Sequence, residues 1–335
     1  MKIAVLTGGG DCPGMNAFVR AITRAHLNLG GPEAEVVGVL DGWAGMISGS
    51  YRRLSILDTA GIGRLGGTIL GTLRAPALKQ DEAVQQQVAE RFVAEGFDAF
   101  VACGGNGSLK AALDLDRRLT AMGESRPVLF TPASIDNDVA NLHGTSIGFY
   151  SAIERSTEMM EWIRDTASAH RRVYIVGSMG RRSAYLPFYA GLATGSEYVM
   201  RPNEQVDFEE LADTIHERDR DTRIIVSEAY PHTLEEIAAI LSTLLEKRSS
   251  EHEIRTVDMG YFQRGGLASV TDVIRANRLG YTMATSLQKS KSSAFFGAFH
   301  AAAEPNCISL ETAVSPESTH DDIPEDVIEM ALLLR

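Results

Sequence analysis

Residues 3–6, Ile-Ala-Val-Leu, form an unbroken apolar run that stops at Thr7 and gives way at once to Gly8-Gly9-Gly10. Runs of the same kind recur at 36–40, 99–102, 128–130, 173–176 and 224–226, and stretches such as 15–29 and 82–95 carry helical periodicity. A short run without polar alternation fits a strand covered on both faces. Strands separated by helical stretches are read as parallel βαβ units. The chain is therefore expected to be α/β, with mostly parallel sheets and helices on both faces. Its 335 residues exceed what a single core comfortably supports, so two lobes are expected.

Charge and composition narrow the function classes. A net charge of −12 argues against a non-specific nucleic-acid binder, which needs a basic face for the phosphate backbone. No stretch approaches the roughly 18 apolar residues of a membrane helix, and the first apolar run is too short for a signal-peptide core. Cys12, Cys103 and Cys307 are too few and too scattered for a disulfide framework. The expectation is a cytoplasmic protein with neither a nucleic-acid nor a membrane partner. Cys12, in a glycine loop, reads as a small filler, and His143 and His170 read as polar loop residues without metal-ligand spacing. The segment 217–221 reads as a charged, solvated turn. The tail from 315 to 325 is acidic and Pro/Ser-rich, and the apolar stretch 327–334 is expected to dock as a helix.

In an open parallel sheet, ligands sit beyond the C-terminal ends of the strands. Three loops follow predicted strands there. Thr7-Gly8-Gly9-Gly10-Asp11-Cys12-Pro13-Gly14-Met15-Asn16 leads from a strand into a helix, where glycines allow close approach and free N–H groups attract phosphate. It lacks the Gly-Lys-Ser/Thr end of a P-loop and the spacing of the dinucleotide fingerprint. Cys103-Gly104-Gly105-Asn106-Gly107-Ser108 repeats the device, with a hydroxyl donor in Ser108. Pro132-Ala133-Ser134-Ile135-Asp136-Asn137-Asp138 carries two carboxylates, one able to take a proton from an attacking hydroxyl, the other to orient it or help hold a metal. Taken alone, this third loop is also compatible with an Asx-rich turn.

Arginines recur beside such junctions. Arg74 follows Gly66-Gly67-Thr68 and Gly71-Thr72; Arg171 and Arg172 precede a strand; Arg181 and Arg182 follow Met179-Gly180; Arg255 and Arg264 flank another strand. Guanidinium forks suit phosphate oxygens, so an anionic substrate is expected.

Taken in order, these segments resemble the ATP-dependent 6-phosphofructokinase family over nearly the whole chain. The matching stretches include Gly9-Gly10-Asp11 through Asn16, Gly66-Gly67-Thr68 through Arg74, the loop 104–108, Ser134 to Asp138, Met179-Gly180-Arg181, Glu228 and Gln263-Arg264-Gly265-Gly266. The resemblance implies a two-lobed fold. A nucleotide-binding lobe would comprise 1–147 with about 263–312, and a sugar-phosphate lobe 148–262 with about 313–335. It also implies ATP and Mg²⁺ as cofactors and a sugar phosphate as acceptor. Asp136 would be the general base, supported by Ser134 and Asp138, with Arg181 also at the reacting group. Gly9, Arg74, Gly105, Asn106, Gly107 and Ser108 would hold the nucleotide. Met179, Gly180, Arg181, Glu228, Tyr261 and Arg264 would hold the sugar phosphate. Arg172 and Arg255 would reach its 6-phosphate from a neighbouring subunit, which implies a homotetramer or homodimer. Arg20, Arg24, Arg164 and Glu197 resemble effector-site positions, whereas 218–223 departs from the family's basic loop.

Other departures are informative. Asn106 stands where the family holds its metal with an aspartate, so Asn106 and Asp138 make a weakened metal position. Tyr261 replaces a histidine that contacts the sugar phosphate, and Tyr185 breaks the usual glycine pattern after Gly180-Arg181. Gly107 and Ala133 stand where pyrophosphate-using relatives have an aspartate and a lysine, which favours ATP. Three readings stay open: an ATP-dependent kinase of fructose 6-phosphate or a close relative, a same-fold kinase with another acceptor or a pyrophosphate donor, and a non-catalytic ligand-binding homologue.

Overall fold

The structure, a computed structural model, describes every residue except 141–143, 219, 299, 302–303, 315–322 and 335. His143, Asp219 of the charged turn and most of the acidic tail lie outside the described residues. The strands are β1 (Lys2–Gly8), β2 (Glu35–Val39), β3 (Tyr51–Leu54), β4 (Ala99–Gly104), β5 (Val128–Pro132), β6 (Val173–Ser178), β7 (Tyr198–Met200), β8 (Thr222–Ser227), β9 (Ile254–Asp258), β10 (Ala294–Gly297) and β11 (Asn306–Ile308). They divide between two compact units, Met1–Ser151 with Arg264–His320, and Ala152–Gln263 with Asp321–Arg335.

Unit 1 holds a sheet in the order β11-β10-β5-β4-β1-β2-β3. The inner pairings are parallel, as the apolar runs imply, and the edge strands β3 and β11 are antiparallel. Successive residues of a strand point to opposite faces. Leu6, Phe100, Ala102 and Phe130 bury one face with Val88 and Phe92 of the helix Glu82–Ala94 and Leu109 and Leu113 of the helix Asn106–Ala121. The intervening Ile3, Val5, Ala99 and Val101 are fully buried as well, so neither face is wet. Each large aliphatic or aromatic side chain buried in this way contributes about 1.5–3 kcal/mol relative to exposure. The edge strands escape the sequence pattern because Tyr-Arg-Arg-Leu and Asn-Cys-Ile are short and half polar.

Unit 2 holds an all-parallel sheet in the order β7-β8-β6-β9. One face, with Val173, Ile175, Ile224 and Val226, packs on Leu211 and Ile215 of the helix Phe208–Glu217 and Ile237 and Leu241 of Leu234–Lys247. The other, with Tyr174, Val176 and Ile225, packs on Met160, Ile163 and Ala167 of the helix Phe149–His170. The final apolar stretch is a helix, Glu325–Leu333, which buries Ala331 against Ala184, Phe188 and Ile323 and leaves Leu332, Leu333 and Leu334 exposed.

Candidate active site

In unit 1, β4 lies between β1 and β5, and the register pairs Gly8 with Gly104 and Gly104 with Pro132. Both glycine loops and the acid loop therefore leave the sheet from adjoining strands at one level. A Cβ on Gly104 would strike the Gly8 carbonyl oxygen, and one on Gly8 would strike Ser108 Oγ. Gly9 adopts φ +91°, and a Cβ there would stand 3.2 Å from the Gly105 nitrogen. The two loops can lie this close only because both lack side chains at the crossing. The helix Asn106–Ala121 starts there without a side-chain cap among the described residues, and such a helix start favours an anion.

The acid loop is laced back onto the sheet. Ala133 N donates to the Gly104 carbonyl (2.9 Å), Ser134 N to the Ile147 carbonyl (3.0 Å), and Ile147 N to the Pro132 carbonyl (3.0 Å). Asn137 takes left-handed φ (53°), which asparagine tolerates, and its Oδ1 accepts from Ser146 N at 2.8 Å. Asp136, only 2% exposed, precedes this reversal and donates its N–H to Ser134 Oγ at 3.2 Å. Asn106 bridges the loops: its Nδ2 donates to the Asp138 carbonyl (3.1 Å) and to Asp138 Oδ2 (3.0 Å). Two oxygen acceptors set the amide's orientation, with the NH₂ toward Asp138. An aspartate at 106 would lack this donor and would press two carboxylates together.

No group of three or more His, Cys, Asp or Glu side chains forms a metal cage among the described residues. Mg²⁺ is commonly held by one or two carboxylates together with phosphate and water oxygens. Asp138, beside the glycine loops, fits that donor set; Asn106 faces it as a donor and orients it. The thiols of Cys12 and Cys103 are pushed well up by burial and suit the filler role.

Around the first glycine loop, buried Asn16 donates to the carbonyls of Leu65 and Gly66 (3.1 Å each) and accepts from Ile69 N (2.7 Å). Thr72 Oγ1 donates to the Gly9 carbonyl at 2.8 Å, and exposed Arg74 follows. The Arg264 guanidinium lies where a Gly10 side chain would be. Lys79 lies in no sequence motif, yet its Nζ is 3.4 Å from where a Gly107 Cβ would stand. Behind the loops, Asp272 and Arg275 are a fully buried pair, Oδ1 to Nη1 3.6 Å. Asp272 Oδ2 accepts from Ser151 N (2.8 Å) and Oγ (2.7 Å), which anchors the chain just past the acid loop. Burial raises the Asp272 carboxyl's pKa, while the Ser151 bonds and Arg275 pull the other way.

Unit 2 arranges its residues differently. Met179, Gly180 and Arg181 leave the C-terminal end of β6, and Glu228 that of the adjoining β8. Arg181, at left-handed φ 50°, donates its N–H to Glu228 Oε2 at 3.0 Å, while Glu228 N donates to the Ser178 carbonyl at 2.9 Å. Buried Gln263 accepts from Met179 N (2.7 Å) and donates to Ser156 and Ser178 hydroxyls (2.7 and 3.0 Å), a positioning role its place in the Gln-Arg-Gly-Gly motif does not reveal. Tyr261 is 82% exposed.

Arg172 and Arg255 lie at the other end of this sheet. Arg172 immediately precedes β6, and Arg255, expected to flank a strand, is inside β9 and pairs with Tyr174 near the start of β6. The length of β6, roughly 20 Å at about 3.3 Å per residue, separates them from Arg181. Within one chain they are not brought together with Met179, Arg181 and Glu228. Between them sits Glu253, paired with both.

Of the effector-like positions, Arg24 donates to the Ile56 carbonyl (2.9 Å) and Thr59 Oγ1 (3.2 Å). Arg164 and Glu197 line a cavity of about 470 Å³ with Asp165, Arg220, Asp221 and Arg223. Glu197 pairs there with Arg223, and also with Arg218, which does not line the cavity, so opposite charges neutralise much of the wall.

Known proteins resemble this chain in sequence and fold. The family model described as Phosphofructokinase matches residues 2–287. The ATP-dependent 6-phosphofructokinase of Aquifex aeolicus is 35% identical over 302 residues, covering 88% of this chain and 89% of its own length. That of Thermotoga petrophila is 38% identical over 275 residues, 81% of each. The solved phosphofructokinase of Saccharomyces cerevisiae superposes with a TM-score of 0.79 at 30% identity, over 93% of this chain and 45% of the longer yeast chain. With a family model that matches residues 2–287 and relatives at 35% and 38% identity that are covered over most of their own length, this chain belongs to the phosphofructokinase family.

Proposed function

We propose that the chain transfers the γ-phosphoryl group of ATP to the 1-hydroxyl of fructose 6-phosphate. The observation that carries this reading is the common level of Gly8, Gly104 and Pro132, which sets two anion-attracting loops beside Asp136. The names of the relatives at 35% and 38% identity support ATP, rather than pyrophosphate, as donor.

Gly9, Gly105, Gly107 and Ser108 supply close backbone and hydroxyl contacts to the donor phosphates, and Arg74 adds charge. Asp136 takes the proton of the attacking hydroxyl, and the oxygen it leaves forms the new bond to phosphorus as the bond to ADP breaks. Ser134 shapes the loop under Asp136. Asp138 is the carboxylate that would hold Mg²⁺, which supplies neutralising charge to the phosphates when bound. Asn106 keeps Asp138 oriented through its amide. Arg181 brings positive charge to the transferring group; Met179, Gly180, Glu228, Tyr261 and Arg264 take the sugar phosphate.

Arg172 and Arg255 serve the 6-phosphate of a neighbouring copy, so the working form is a homo-oligomer, a tetramer or at least a dimer. Their place at the far edge of the unit 2 sheet supports this. So do Val270, Ile274 and Tyr281, exposed on one helix at 65%, 48% and 58%. A cytoplasmic setting accords with three free cysteines. No helix among the described residues is long and apolar enough to cross a membrane.

The test is ADP formation by the purified chain with Mg²⁺ and ATP, against fructose 6-phosphate and sedoheptulose 7-phosphate, with pyrophosphate as the alternative donor. Fructose 6-phosphate with ATP should give the highest kcat/KM. Absence of turnover with every pair would sink the proposal.

A further inference from the structure

We infer that Glu253 is a built-in occupant of the Arg172–Arg255 phosphate site, a carboxylate that an incoming phosphate monoester must displace. The inference rests on the reading above that these two arginines take the acceptor's phosphate. Each carboxylate oxygen engages a different arginine: Oε2 accepts from Arg172 Nε at 2.5 Å, and Oε1 pairs with Arg255 Nη2. Carboxylate and phosphate oxygens address a guanidinium fork in the same way, so the two anions compete for the same N–H groups.

The backbone builds this contact. Arg171 turns the chain with φ 50° after the helix Phe149–His170, and Arg172 N donates to the Ala167 carbonyl at 3.0 Å. Val173 N donates to the Glu253 carbonyl at 3.0 Å, and β6 then pairs with β9 from Val173 and Ile254 onward. Arg172 and Glu253 thus enter neighbouring parallel strands side by side, with Arg255 two residues beyond Glu253. The three side chains are 23%, 44% and 52% exposed, so a phosphate can reach them from solvent. The direct bond to Arg172 holds the Glu253 carboxyl below its ordinary range, so it is charged wherever the enzyme would work.

The consequence is a threshold on acceptor binding. Free inorganic phosphate, with no other contact to the protein, competes poorly with a tethered carboxylate. A sugar phosphate held elsewhere through its hydroxyls displaces it more readily. Glu253 therefore sets a displacement cost common to both anions, and only an anchored phosphate monoester has the further contacts to bind well despite it.

The test uses Glu253→Gln, which keeps the shape and removes the charge at an exposed position. Inorganic phosphate is titrated into parent and variant by calorimetry, and KM for fructose 6-phosphate is measured for both. Inorganic phosphate should bind the variant about three- to fivefold more tightly, the scale of an exposed ion pair, and KM should fall by a comparable factor. Adding Arg172→Ala should abolish the gain. Unchanged or weaker phosphate binding by Glu253→Gln overturns the inference, because the carboxylate would then be aligning the arginines or be merely solvated. If the parent turns over no sugar phosphate, the proposed activity falls, and the phosphate titration still decides the role of Glu253.

Discussion

In unit 1, β1, β4 and β5 end at the same level and bring Gly9, Gly105, Asn106, Asp136 and Asp138 to one edge of the sheet. In unit 2, Met179, Arg181 and Glu228 lie at that kind of edge, while Arg172 and Arg255 lie at the opposite one. The two edges of a parallel sheet differ chemically. Helices begin near the strand C-termini and present free N–H groups and the positive end of the helix dipole, so backbone alone attracts an anion there. At the other edge helices end and present carbonyls. The helix Phe149–His170 finishes beside Arg171 and Arg172, where cations are favourable and an anion needs guanidinium groups to hold it. Glycine thus suits one kind of candidate anion site and arginine the other.

The largest effect that could break this comparison lies in unit 1. Asp136→Asn should lower kcat by about 10²–10⁴-fold, the range for losing a general base, while the circular dichroism spectrum stays that of the parent. A loss under tenfold would mean that the acid loop does not carry the proton transfer. At the far edge of unit 2, Arg255→Ala should raise KM for fructose 6-phosphate by about 10–100-fold, the scale of a hydrogen bond to a charged group, and leave kcat much less affected. Mixing this variant with Asp136→Asn under subunit exchange should restore low-KM activity, since one chain keeps Asp136 and the other Arg255. If mixtures show only the sum of the separate activities, the two edges serve one chain and the comparison fails.

A smaller change sharpens the unit 1 half. Asn106→Asp removes the donor to Asp138 and sets two carboxylates together. Without Mg²⁺, Tm should fall by about 2–8 °C, from the cost of setting two part-buried carboxylates together without the amide donor, spread over a unit of this size. Added Mg²⁺ should recover the loss, and half-maximal activity should move to lower Mg²⁺ concentration. An unchanged Tm and Mg²⁺ midpoint would show that the Asn106–Asp138 bond does not organise the site.

The smallest effect concerns the edge of unit 1 away from the loops. His26 is buried, with Nε2 3.0 Å from the Met1 carbonyl oxygen, and burial pulls its pKa below the ordinary 6.5. The native state then binds fewer protons than the unfolded one. Its contribution is fully present above about pH 6.5 and is lost as pH falls toward the lowered folded value. Urea denaturation at pH 7.5 and 5.5 should show this loss, and His26→Gln should flatten it. KM for ATP should not follow the His26-dependent part; if it does, this edge is coupled to the donor loops.

The fold class was legible because continuous apolar runs and helical periods are local signals. Residues 3–6, 99–102 and 128–130 needed no knowledge of their neighbours to be read as doubly covered strands. The loops at their ends were legible for the same reason: glycine clusters and the Asp136–Asp138 spacing declare themselves within a few residues. The edge strands β3, β7 and β11 are short and carry little apolar pattern, and β10, though buried, is only four residues long, so none of the four declares itself in the sequence.

What the sequence alone determined, then, was which segments become strands and helices and which loops could carry phosphate and proton chemistry, since sterics and burial act residue by residue along the chain. Only the tertiary structure decided that Gly8, Gly104 and Pro132 share a level, that Asn106 turns its amide onto Asp138, and that Lys79 reaches Gly107. It also decided that Arg172 and Arg255 flank Glu253, far along the sheet from Arg181. Those relations join residues distant in sequence, and strand order and register, which the pairing of the whole sheet settles, bring them into contact.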